Sequence, residues 1–329
     1  MFLSDTGMKR MYAHVKWFTG EQHWSPLSFA EVITPSFLFW LGVTLAGLLL
    51  SAIFDEPLER LRPVRRIHSL LDKLKPYETL ILRLGLGIGL LLQLVTGTFL
   101  APELASSGSW VTAMLAIALA GLLHRKLLPV SGGALAVLYV YALWKYGLFH
   151  GLDYMFYVGI VYYLIVAGTR WRRGATPVLY VFTGLSLAWV GLEKMTLPEL
   201  AYDIVHEFDI PTFGFTVEEF VLISGFIELG LAWTFIVGIL SRFTSLLVTL
   251  VFVTTTMVFG FKEIVGHTII HTLLIMFLIE GRGAFKTPFQ FHGSAVRRYA
   301  FVLVNFCVLL FGLMALYIWM GQQTYGHAH

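Results

Sequence analysis

The chain has 329 residues, of which 57% are hydrophobic and only 13% charged, with a formal net charge of +3 and a strongly positive mean hydropathy. No water-soluble domain can cover that much apolar surface, so the composition excludes one and points to helices in a bilayer. The small positive balance is of the kind spent on membrane topology, so nucleic acid is not expected as a partner, and the single cysteine, Cys307, excludes disulfides and CxxC redox chemistry.

The first 30 residues, including MKRMYAHVKWFTGEQHW, are polar and aromatic and lack the apolar core of a cleavable signal peptide. Apolar runs near the ~20-residue bilayer requirement then recur to the end of the chain. They predict ten spans, at about 34–53, 79–100, 109–123, 128–148, 154–169, 177–195, 218–239, 243–261, 266–280 and 299–320. Three of these, at 109–123, 154–169 and 266–280, are short enough to be tilted or partly buried segments. The expected fold class is therefore all-α, a polytopic membrane protein.

Lysine and arginine gather in alternate loops. Arg60, Arg62, Arg65, Arg66, Lys73 and Lys75 lie in 54–78, followed by Arg125 and Lys126, the RWRR run at 170–173, Arg242, and then Arg282, Lys286, Arg297 and Arg298. Between them, APELASSG at 101–108 has no basic residue and 193–217 has Lys194 alone. The positive-inside rule makes the first set cytoplasmic and places the C-terminus outside an inner (cytoplasmic) membrane. The N-terminus follows it outside if 34–53 spans, which requires Lys9, Arg10 and Lys16 to be translocated; a re-entrant 34–53 would leave it inside.

Two short segments read as surface helices. RRIHSLLDKLK at 65–75 is amphipathic and basic, as expected of a helix on an anionic inner leaflet. TLPE at 196–199 reads as a capping box that opens an interfacial helix over the outer mouth, with Leu200, Ile204 and Phe208 toward lipid or bundle and Asp203 and Glu207 outward. Such a helix offers a docking face to an extracytoplasmic or membrane protein partner. The terminal GHAH is open to two readings, a loose metal site or a disordered tail.

The chain also repeats itself. GLLHR at 121–125 matches GILSR at 238–242, and at the same offset of 117 residues WKYGLFHGLDY (144–154) lies on FKEIVGHTIIH (261–271), pairing Lys145 with Lys262 and His150 with His267. LAPELA at 100–105 matches TLPELA at 196–201. The order and spacing of these matches predict two parallel four-helix units, 78–170 and 176–283, related by an axis along the membrane normal. Residues 1–77 supply a tail, one flanking helix and a basic linker, and 284–329 supply the other flanking helix and a tail.

GLSLAWVGLEKMTLPELA (184–201), FIELGLAWTFIVGILSR (226–242) and GHTIIHTLLIMFLIEGRG (266–283) resemble the helices of the DoxX-like superfamily, which includes DoxD and MauE types. The resemblance covers the second unit well and the first weakly. It implies four-helix membrane units associated with quinone-linked redox reactions and membrane redox complexes. The first unit departs from the pattern, with no equivalent of Glu193–Lys194 and with Val111 where the second unit has Glu228, so a polar site is expected in the second unit only.

The candidate cofactor-binding residues are accordingly Glu193, Lys194, Glu228, Lys262, His267 and His271. Glu228 falls about ten residues inside its span, where a carboxylate must be protonated, paired or beside water. His267 and His271 stand at i and i+4 on one helix face. They suit a metal, a bis-histidine haem shared with His150, a quinone headgroup needing donors and a proton route, or merely a hydrated hairpin corner. Three functions remain open: a membrane subunit of a quinone-linked oxidoreductase, a non-catalytic anchor of a larger complex, or a transporter. With no nucleotide fingerprint and one cysteine, the first needs an electron partner outside this chain.

Overall fold

The computed structural model describes residues 25–106, 108–281, 283 and 286–325. Lys9, Arg10, Lys16, Arg282 and the GHAH end lie outside the described residues, and so do the expectations attached to them. Fourteen α-helices are described. A short α1 (Phe29–Val32) leads into α2 (Pro35–Arg60), whose N-cap Thr34 accepts from the Phe37 amide and which has proline in its first turn. Then come α3 (Arg62–Asp72), α4 (Glu78–Thr96), α5 (Ser109–Leu122), α6 (Leu128–Tyr146), α7 (Leu148–Gly151) and α8 (Phe156–Val166). The second half has α9 (Ala175–Thr196), α10 (Pro198–Glu207), α11 (Val217–Val237), α12 (Ser241–Phe259), α13 (Phe261–Glu280) and α14 (Ala295–Tyr325). A small antiparallel hairpin, β1 (Thr98–Phe99) and β2 (Ala101–Ala105), joins α4 to α5.

Among the described residues, eight helical runs are long and apolar enough to cross a bilayer, with 62–96 counted as one run. The ten expected spans thus become eight, or nine if Leu148–Tyr154 and Phe156–Val166, which meet at a 62° bend, act together. The 154–169 segment fails as a simple span because the chain bends at Met155 and α8 beyond it has only 11 residues. The 109–123 segment yields α5 with 14 residues, ~21 Å of helix against a ~30 Å hydrocarbon core. The opposite correction applies to 266–280. Its helix begins at Phe261, so the polar stretch FKEIVGH forms the first two turns of a 20-residue α13 rather than a loop.

The helices pack in a closed order. α4 contacts α5, α5 contacts α6, α6 contacts α8, α8 contacts α9, α9 contacts α11, α11 contacts α12, α12 contacts α13, and α13 returns to α4. Outside this set, α2 and α14 pack on one another and against α11 and α9 respectively. Small residues set the closest seams, as expected where lipid provides no hydrophobic drive between helices. A Cβ on Gly184 of α9 would lie 2.8 Å from the Ala232 carbonyl oxygen of α11, and one on Gly85 of α4 would strike Thr272 of α13.

Connectivity puts the loops at 97–108, 147–155, 197–216 and 260 at one end of the bundle, here the Lys262 end. Arg125, Arg170–Arg173, Arg242 and Lys286 gather at the other, the arginine-rich end. Arg242 opens α12 and caps α13, with Nε donating to the Leu278 carbonyl at 2.9 Å, Nη2 to the Ile279 carbonyl at 2.7 Å, and Nη2 to Asp72 of α3 at 2.6 Å. Arg125 lies in the short turn between α5 and α6, and Arg83 does the equivalent work for α5, donating to the Leu122 and Leu123 carbonyls at 2.6 and 2.5 Å. Arg242→Ala is therefore expected to cost about 2 kcal/mol through orphaned carbonyls. It should also release α3, read as faster tryptic cleavage between Arg62 and Lys75 in detergent.

The expected TLPE capping box is absent. Thr196 is the last residue of α9 and its hydroxyl donates to the Leu192 carbonyl at 2.8 Å, which removes it from the cap of α10; Pro198 still occupies the first turn. The amphipathic reading of α10 stands, with Leu200 and Ile204 buried against the bundle and Asp203 and Glu207 exposed.

Candidate functional site

Four carboxylates are buried at the Lys262 end: Glu103 on β2, Asp153 in the turn before α8, Glu193 near the end of α9 and Glu263 in the first turn of α13. Burial of this kind is tolerated only where partners are supplied. The Tyr154 hydroxyl donates to Glu103. His150 bridges two acids, with Nε2 at 3.4 Å from Glu103 and Nδ1 at 3.5 Å from Asp153. Tyr317 of α14 donates to Glu193 at 3.4 Å.

From Glu263 the chain of groups continues along α13. Glu263 Oε2 lies 2.5 Å from His267 Nδ1, at ion-pair distance but off hydrogen-bond alignment. Phe252 of α12 stacks on His267, with centroids 4.4 Å apart and planes 7° apart, and meets His271 edge-on at 6.1 Å. His267 and His271 are 6.4 Å apart between ring centroids. The network at the Lys262 end therefore consists of a contact cluster of Glu103, His150, Asp153 and Tyr154 and a run of Glu263, His267 and His271 along α13, with Glu193 held by Tyr317 and Lys262 next to Glu263 in the chain.

Lys194 and Glu228 stand apart from it as a two-point ion pair, with Lys194 Nζ at 2.8 and 2.7 Å from the two carboxylate oxygens. Glycines make the pair possible. A Cβ on Gly191 would lie 3.4 Å from that of Glu228, and one on Gly225 would lie 3.4 Å from that of Lys194, so the two backbones approach closely where the side chains cross. Of the two alternatives to protonation, Glu228 takes pairing.

Depth relates the two groups. Tyr180 of α9 stacks on Phe277 of α13 at 3.9 Å, and Phe235 of α11 meets Phe277 at 5.4 Å, tying α9 and α11 to α13 at the arginine-rich end. Counting away from these rings at 1.5 Å per residue, Glu228 lies ~10 Å above Phe235 and His271 ~9 Å above Phe277. Glu228 and His271 therefore share a level. They do not share a direction: at ~100° per residue His271 is turned about 120° around α13 from Phe277, toward Phe252, whereas Glu263 is turned only about 40°. At the Lys262 end Phe208, just past α10, meets Phe259 of α12 edge-on at 4.9 Å, so the α10 segment reaches over to the α12–α13 hairpin.

The expected confinement of polar groups to the second unit is not what the structure shows, since Glu103, His150, Asp153 and Tyr154 come from 78–170. Glu103 was in view in the sequence, inside the repeated PEL, but sequence offers no sign that a carboxylate in the loop between α4 and α5 is buried. Among the described residues no group of three or more His, Cys, Asp or Glu side chains has the geometry to hold a metal ion. A network of carboxyls, imidazoles, a phenol and an ammonium can instead donate hydrogen bonds and exchange protons. No family model, curated protein or solved structure matches the chain, so the DoxX-like resemblance rests on the quoted motifs alone.

Proposed function

We propose that this chain is the membrane subunit of a quinone-linked oxidoreductase in an inner membrane, with the arginine-rich end cytoplasmic and the C-terminus extracytoplasmic. In this reading 78–170 and 176–283 are tandem parallel DoxX-like units. The duplication is supported by the packing of the last helix of each unit on the first helix of the other, α8 on α9 and α13 on α4. The observation that carries the functional reading is the buried proton-exchanging network that ends on the His267–His271 face of α13.

Quinone reduction takes up two protons with two electrons, and quinol oxidation returns them. His271, half-buried beside Phe252, is the donor toward the headgroup, and Glu263 with Lys262 leads from it toward buried Glu103 and the more accessible His150. Lys194–Glu228 lies at the depth of His271 but on a different side of the bundle, so it is assigned to the α9–α11 seam and not to the headgroup site. Electrons come from or go to an extracytoplasmic partner, because the chain carries no nucleotide or cluster motif of its own.

The test is the quinone content of the protein purified in mild detergent. Bound quinone near one per chain that falls at least tenfold in His271→Ala, while thermal stability is kept, is the expected result. Absence of quinone from the wild-type protein, together with failure to take up a short-tailed benzoquinone, would overturn it. A second reading, a non-catalytic anchor of a larger complex, is favoured by the closure of the Lys194–Glu228 pair between tightly packed helices, which is how a purely structural lock looks. It is supported if a partner protein co-purifies stably with a quinone-free chain.

A further inference from the structure

A cavity of about 610 Å³ opens at the arginine-rich end, far from the network above. Its walls come from the starts of α4 and α9 and the ends of α11 and α13, and its floor includes the Tyr180 and Phe235 rings. Four basic side chains line it, Arg170, Arg172, Arg173 and Lys286, against two acidic ones, Glu78 and Glu280.

One of the acids and two of the bases are already engaged. Thr176 donates to Glu78 at 3.1 Å, Arg172 donates to Thr79 at 3.1 Å, and the Arg170 guanidinium sits 5.1 Å from the Trp171 ring centre. Arg173 and Lys286 make no ion pair among the described residues, although each borders a cavity large enough for a small ligand. Trp171, 60% exposed beside them, is of the type that anchors at a bilayer interface. Such a concave site, with surplus positive charge, forked guanidinium donors and apolar walls from Val181 and Ile236, matches an anionic oxygen cluster better than a cation or a neutral molecule.

We propose that this cavity binds a phosphate group through Arg173 and Lys286, supplied either by an anionic lipid headgroup at the membrane surface or by a soluble phosphate. The chemistry is the same for both sources: a guanidinium and an ammonium converge on phosphoryl oxygens at the mouth. Basic pockets between spans commonly hold anionic headgroups, and the half-exposed apolar walls suit an acyl chain.

Thermal unfolding of the full chain in detergent separates the sources. Phosphatidylglycerol, phosphatidylcholine and inorganic phosphate are added in turn at matched ionic strength. A rise in midpoint with phosphatidylglycerol but not phosphatidylcholine identifies a lipid site, and a saturable rise with inorganic phosphate identifies a soluble one. In Arg173→Gln/Lys286→Gln the concentration needed for the effect should increase at least tenfold, while Arg125→Gln, a basic residue outside the cavity, leaves it unchanged. The proposal is overturned if neither additive exceeds its control in the wild-type chain. It is equally overturned if Arg125→Gln weakens the effect as much as the double substitution does.

Discussion

Lys194→Ala is expected to lower the stability of the detergent-solubilised protein by about 3 kcal/mol or more, the usual cost of stranding one member of a buried ion pair. Lys194 and Glu228 keep only 16% and 23% of their side-chain surface accessible, and the pair lies between helices that Gly191 and Gly225 bring together. With Lys194 gone, Glu228 is left in a setting where a carboxylate has neither partner nor bulk water. Glu228→Ala strands the ammonium instead, but a long lysine can turn toward the interface, so the smaller loss is expected there. The double variant Lys194→Met/Glu228→Leu should recover most of the wild-type midpoint, since apolar residues of similar volume replace both charges. Thermal unfolding of the four proteins closes a double-mutant cycle. A Lys194→Ala midpoint within a degree of wild type would mean that Glu228 is hydrated and that the pair locks nothing. If the wild-type chain proves to hold quinone and the stable double variant does not, the pair contributes to that binding as well as to the helix seam.

The helical architecture was largely legible because hydrocarbon imposes it: a backbone in lipid must close its own hydrogen bonds, so apolar runs report helices directly. What hydropathy does not report is how long each helix is or which way its polar residues turn. FKEIVGHTIIH reads as a loop followed by a span because Lys262, Glu263 and His267 depress the apolar score. In the fold those residues are accommodated within α13, since Glu263 pairs with His267 one turn on and Phe252 of α12 stacks on that imidazole. The partner of Glu228 lies 34 positions earlier, and only the glycine-mediated approach of α9 and α11 picks out Lys194. The network at the Lys262 end was half visible. Its histidines stand in a repeated spacing, but Glu103 and Tyr154 are joined across 51 positions and become neighbours only when the β1–β2 hairpin folds inward. The large cavity lay wholly outside what residue types suggested, because its basic lining reads equally well as a topology signal.

The α9–α11 seam provides the sharpest test of whether helix approach, rather than side-chain charge, organises the second half. Alanine at Gly184 places a methyl group 2.6 Å from the Ile236 side chain and 2.8 Å from the Ala232 carbonyl oxygen. The isoleucine can rotate away, whereas the carbonyl belongs to the α11 backbone and moves only with the helix. Gly184→Ala is therefore expected to destabilise by about 1–3 kcal/mol despite the better helix propensity of alanine. The same change at Gly191 meets its nearest atoms at 3.3–3.4 Å and should cost less, because a shift of a few tenths of an ångström relieves it. At Gly42 of α2, where nothing lies within 4 Å of the added methyl, it should be neutral or stabilising by up to ~1 kcal/mol. Thermal midpoints ranked Gly42→Ala above wild type or equal to it, then Gly191→Ala, then Gly184→Ala, are the expected outcome. Since the seam also sets the distance across which Lys194 reaches Glu228, Gly184→Ala should reduce the coupling energy measured in the charge cycle. An unchanged coupling would mean that α9 and α11 can part near Gly184 without disturbing the ion pair, and that the two features are mechanically independent.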